Sequence, residues 1–137
     1  MNSAKITVQR AFNDIFFRFM DELIKMFLND TDYLVSKSTF ETMKRSNPSI
    51  LIKGWYKYIS FQFIGDTENQ TNFETFVLLF LENPIENKIP EISNFLKKLC
   101  NEFEHIIHSK ENAEIQKNEI IKQYFTQLNK LSLMYSV

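Results

Sequence analysis

The chain has little of what punctuates or staples a fold. Its 137 residues include two glycines, three prolines and one cysteine. A single thiol, Cys100, excludes an intrachain disulfide framework and suits a reducing compartment. Scarce glycine leaves no Gly-rich phosphate loop, and neither a Gly-x-Ser-x-Gly turn nor a zinc-spaced cysteine set occurs. The longest apolar run, Phe76 to Leu81, is far short of the roughly 20 residues that span a bilayer. No basic-then-apolar start with a small-residue cleavage site opens the chain, so a soluble, unprocessed protein is expected. Net charge is −1, so the whole-molecule field does not draw in polyanions, and nucleic-acid contact would require a local patch.

Fourteen phenylalanines stand against these absences. The length suits one domain, residues 1–137, and a fold of this size buries close to ~70% of the surface its unfolded chain exposes. Each phenylalanine contributes about 2 kcal/mol on burial, so a core forms without staples. Asn, Ile, Lys, Phe and Tyr are abundant while Gly, Ala, Pro and Arg are scarce, as an AT-rich genome produces. A functional reading of any Asn or Lys therefore needs placement as well as identity.

Helix-period patterning predicts an all-α, single-domain bundle of about six helices. The first, from about Thr7 to Leu28, carries Phe12, Ile15, Phe16, Phe17, Phe19, Met20, Leu23, Ile24, Met26 and Phe27 over more than half its circumference. A surface helix needs a stripe of a little over ~100°, so this one is central or buries its excess on another chain. A second, less regular helix runs to about Arg45 with Leu34, Val35, Phe40 and Met43. Asn47-Pro48 reads as an N-cap followed by proline at the first helical position, starting a helix to about Ile59. Phe73 to Leu81 is apolar nearly all round, which marks a short buried helix or an interface plug. Two amphipathic helices close the chain, from about Glu91 to His108 and from about Glu111 to Tyr135.

The stretch KRSNPSILIKGWYKYIS, residues 44 to 60, crowds four cations with the single tryptophan. On a helical wheel Leu51, Ile52, Trp55, Tyr58 and Ile59 share one sector, and Lys53 and Lys57 lie opposite its centre. Stacking on bases needs rings beside the cations and open to solvent, so a core helix with a basic back is expected. Lys44, Arg45, Lys53 and Lys57 remain candidates for contact with phosphate or an acidic partner. Five cations from Lys37 to Lys57 stand against Glu41 alone, and Asp66, Glu68, Glu74, Glu82, Glu86 and Glu91 stand against Lys88. Opposite blocks of this kind would register a contact within the fold or between subunits.

Catalytic and metal chemistry find no pattern. Glu102-Phe-Glu-His105 is one Glu-x-x-His, an element that di-iron bundles use in pairs, and His108 supplies no second copy. Both histidines fall on the polar side of their helix. Cys100 flanks an apolar stripe, where a thiol packs rather than reacts. No catalytic residue, metal or cofactor is expected.

Phe12-Asn13, Phe16, Phe19, Glu22-Leu23 and Phe27, then Lys44, Asn47-Pro48, Leu51-Ile52, Trp55 and Tyr58, and finally Asn129, Leu131 and Tyr135 form a pattern over most of the chain. It resembles short helical proteins encoded by large nucleocytoplasmic DNA viruses of algae and protists. The resemblance implies a viral origin and an all-helical fold, and supplies no catalytic residue. The resulting expectation is a non-enzymatic virion component or assembly factor, located in the virion or host cytoplasm. It would act by packing on other protein, itself or virion proteins, most simply as a homo-oligomer. Its interface would use Phe12, Phe16, Phe19, Phe27, Phe76 and Phe80. The alternatives are a nucleic-acid accessory protein using the basic patch, and a host-factor-binding helical module with a groove for a partner helix.

Overall fold

The computed structural model describes residues 3–60, 77, 90–106 and 109–136. They form five helices: α1 Ser3–Met26, α2 Asp32–Ser46, α3 Ile50–Tyr58, α4 Pro90–Ile106 and α5 Asn112–Ser136. The architecture is all-α, as the 3.6-residue periodicity requires. The segment Phe73 to Leu81 lies outside the described residues except for Val77, which is buried in the common core.

Local chemistry sets the helix ends. The Asp30 carboxylate accepts the backbone N–H of Asp32 at 2.9 Å, satisfying a donor that the start of α2 leaves free and placing negative charge at the positive end of the helix. Asn47 has extended backbone and its Oδ1 accepts the Ser49 N–H at 3.2 Å. Ser49 already has helical dihedrals, so Asn47 and Pro48 act as cap and first-turn residue while the regular helix starts at Ile50. At the start of α4, Pro90 takes a position where a missing N–H costs nothing.

Helix α1 packs on α2, α3 and α5, and its longest contact is with α5. Three neighbours explain an apolar surface too wide for one interface. Phe12, Phe16, Phe19, Met20 and Leu23 are all buried. This corrects the interface role expected for Phe12, Phe16 and Phe19: the fold itself consumes them. Phe27 is half-buried against the core, and Phe76 and Phe80 lie outside the described residues.

Aromatic rings tie the helices together. Phe16 meets Phe40 of α2 edge-on at 5.3 Å, Phe40 meets Phe95 of α4 at 5.4 Å, and Trp55 of α3 meets Phe125 of α5 at 5.6 Å. The two edge contacts of Phe40 suit ring quadrupoles and add to simple burial. Gly54 of α3 leaves room for the tip of the Ile92 side chain of α4. A Cβ there would lie 2.9 Å from Ile92 Cδ1.

Polar side chains also enter this core. Asn129, Ser132 and Ser60 are buried around Trp55, and Asn13 is buried beside the α2–α3 turn. The Asn13 amide donates to the Pro48 carbonyl at 3.0 Å, anchoring that turn to α1. Asn13 with Pro48, and Trp55 with Asn129, form polar contacts between segments far apart in the chain. These are two of the contacts that define how α1, α3 and α5 fit.

Candidate functional site

Phe12, Phe16 and Phe19 lie inside, and the surface between α1 and α2 is built from other residues. Helices α1 and α2 run antiparallel across a short turn. Between them lies an open groove of about 600 Å³, lined by Asp14, Phe17, Arg18 and Asp21 of α1 and Lys37, Glu41, Lys44 and Arg45 of α2. On each helix these residues recur every three to four positions, so each set forms one stripe.

One contact fixes the register across the groove. Lys37 Nζ donates to Asp21 Oδ1 at 2.7 Å and lies 3.8 Å from Glu41. The Asp21 hydrogen bond holds the ammonium above its ordinary pKa of 10.5, against an opposing effect of burial. The register set by this contact puts Arg18 at the height of Glu41 one turn further along, and Asp14 at the height of Lys44 and Arg45 one turn beyond that. Neither set closes into an ion pair. The Lys44 ammonium instead lies 5.3 Å over the Phe17 ring, and Arg45 Nε donates to the Glu41 backbone carbonyl at 3.4 Å.

At the turn end of the groove the surface becomes apolar. Leu28, Leu34 and Val35 are 79%, 56% and 62% exposed. On the wheel Leu34 falls on the same stripe as Glu41 and Arg45, one turn before Lys37. Val35 lies on the outer side and lines a smaller cleft with Thr39, Phe40, Glu91 and Asn94.

The four predicted basic residues therefore separate. Lys44 and Arg45 enter the groove beside three carboxylates, while Lys53 and Lys57 stand on the exposed back of α3. Trp55 is only 4% exposed, in agreement with the wheel, and is not available for stacking on a base. Of the acidic block only Glu91 is described, and Lys37 pairs with Asp21 and Glu41 instead. Asp14, Arg18 and Asp21 occupy the polar remainder of the α1 wheel, opposite its apolar face. Their groove partners become visible only when the Asp21–Lys37 contact sets the pairing of the two helices.

A second charged cluster pins the α1–α2 turn to α4. Lys98 donates a hydrogen bond to Asp30, and its Nζ lies 3.2 Å from Asp32 and 3.1 Å from Glu102. Burial pulls the ammonium down, but these carboxylates outweigh it and keep Lys98 well above its ordinary value. The Lys98 and Asp32 hydrogen bonds hold Asp30 below 3.8, whereas burial holds Glu102 above 4.5. Tyr33 lies beneath, fully buried, and burial followed by the charges of Glu102 and Asp30 pushes its pKa far up.

Glu102 is thus committed to Lys98, and His105, the other end of the Glu-x-x-His, is exposed. His108 lies outside the described residues. Among the described residues no group of three or more His, Cys, Asp or Glu is placed to hold a metal ion, and no helix is long and apolar enough to cross a membrane. Burial pushes the Cys100 thiol up to about 12. Comparison with protein-family models, curated proteins and solved structures gave no match.

Proposed function

We propose that this chain is a non-enzymatic protein-interaction module of a large DNA virus, a small virion component or assembly factor, and that it meets protein partners with the α1–α2 face. One observation carries the reading. Leu28 and Leu34, each more than half exposed, lie at the turn end of a groove lined by charges of both signs, and Val35 exposes a further apolar side chain on the outer side of α2. An apolar centre beside polar contacts is the usual make-up of a protein interface. A duplex-DNA reading needs an uninterrupted cationic track. Here Asp14, Asp21 and Glu41 interrupt it.

A photocrosslinking amino acid in place of exposed Ser38, on the rim of the groove, tests the reading in extracts of the cells that make the protein. The expected result is a protein adduct that disappears when Leu34→Ser is added. Absence of any protein adduct, or an adduct with nucleic acid alone, contradicts it.

A further inference from the structure

We propose that the occupant of the α1–α2 groove is a second copy of this chain, packed groove to groove about a two-fold axis running along the groove. The inference rests on the reading of this face as a protein contact, and names the partner.

A two-fold interface uses the same patch on both subunits, so the patch has to complement itself. A patch of one sign cannot do so, because every charge then meets its like. The α1–α2 groove has a different pattern, with opposite signs facing each other at matching heights. Asp21 stands opposite Lys37, which it touches, and the same register sets Arg18 opposite Glu41 and Asp14 opposite Lys44 and Arg45.

An axis along the groove exchanges its two walls without changing height. It brings α1 of one copy over α2 of the other, so that Arg18 meets the partner's Glu41 and Asp14 meets the partner's Lys44 and Arg45. The same rotation carries Leu28 at the end of α1 toward Leu34 at the start of α2, covering apolar surface that is open in the single chain. The four helices form an antiparallel bundle, a packing that two such helix pairs readily adopt. Asp14 and Arg18, which form no ion pair among the described residues of the single chain, acquire partners in the dimer.

The contact is small. Helix α2 has 15 residues and is therefore ~22 Å long. A footprint of that length and two helices wide falls at the low end of specific interfaces, so association in the micromolar range is expected.

Charge exchange tests this directly. Sedimentation equilibrium is measured for wild type, Arg18→Glu, Glu41→Arg, the double variant, and an equimolar mixture of the two single variants, with circular dichroism confirming that each is helical. Each single reversal sets like charges against each other and is expected to weaken dimerisation at least ~10-fold. The double variant restores it. The mixture also restores it, as a heterodimer, because every contact between the two single variants is again opposite in sign. No foreign partner produces that last result.

Wild type that stays monomeric up to about 200 μM, well above the expected range, or single reversals that leave its association unchanged, overturns the proposal. The Ser38 crosslink then separates the two levels. An adduct of another mass means that the face is a contact but the partner is not self, and no adduct removes the contact reading as well.

Discussion

Trp55 and Asn129, 74 positions apart in the chain, meet in the core through a 2.7 Å hydrogen bond from the indole Nε1 to the amide Oδ1. The same oxygen accepts from Ser60 Oγ at 2.9 Å, and Ser60 lies 2.6 Å from Ser132 Oγ. The indole N–H can only donate, so it fixes which way the amide points. The chain joins α3 and α5 at one register through these contacts.

Removing the acceptor leaves the buried indole N–H without a partner, while Ser60 keeps Ser132. Asn129→Ala is expected to cost about 2–3 kcal/mol in urea unfolding, and Ser60→Ala about 1 kcal/mol, because Asn129 then keeps its tryptophan. A double-mutant cycle with Trp55→Phe should show strong coupling. Additive costs would mean that the hydrogen bond contributes nothing specific.

The tip of the Ile92 side chain of α4 lies against Gly54 of α3. Gly54→Ala gains up to about 1 kcal/mol of helix propensity, and the contact with Ile92 Cδ1 offsets it. Gly54→Leu overpacks the crossing and is expected to cost about 1–3 kcal/mol. Ile92→Val removes the crowded atom, so it should cost less in the Gly54→Ala background than in wild type. Equal costs in the two backgrounds would show that the helices slide apart freely.

Cys100 is fully buried and its thiol is pushed up to about 12. An aromatic disulfide reagent at pH 8 should therefore react at a rate set by unfolding, and fast only in urea. Prompt reaction in the native state would contradict the packing of α4.

Acid sensitivity follows from Asp30. Its folded pKa lies below 3.8, so its stabilising contribution is present above that value and is lost as pH falls through the folded pKa. Glu102 acts in the opposite sense, because its raised pKa lets protonation at higher pH relieve a buried charge. Asp30→Asn should flatten the loss of stability below about pH 4 in urea melts recorded from pH 5 to 2.5. Parallel curves for the two proteins would place the acid sensitivity elsewhere.

The helical fold was readable in the sequence because apolar residues recur at the helix period, and Pro48 and Pro90 mark helix starts. The wheel also separated Trp55 from Lys53 and Lys57 correctly. It could not say where the broad apolar face of α1 would go. That depends on three other helices covering it, which a single-helix pattern does not encode, so Phe12, Phe16 and Phe19 were as well suited to an interface as to a core.

The buried polar residues were concealed for a related reason. Asn118, Ile121, Phe125, Leu128 and Ser132 keep one helical stripe, with Asn129 beside it, so position alone marked Asn118, Asn129 and Ser132 for the interior while composition marked them for solvent. The groove was hidden more deeply. Asp14, Arg18 and Asp21 look like an ordinary solvated sector until Lys37 reaches Asp21 and sets them against Glu41, Lys44 and Arg45.

The most direct test of the α1–α2 face is a concentration series of ¹H–¹⁵N correlation spectra, practical for a chain of 16.4 kDa. The account predicts shifts and broadening confined to amides around Asp14, Arg18, Asp21, Leu34, Lys37, Glu41 and Arg45, reversed by the Arg18→Glu substitution. Spectra that do not change with concentration, or changes centred on Lys53 and Lys57 of α3, would contradict it.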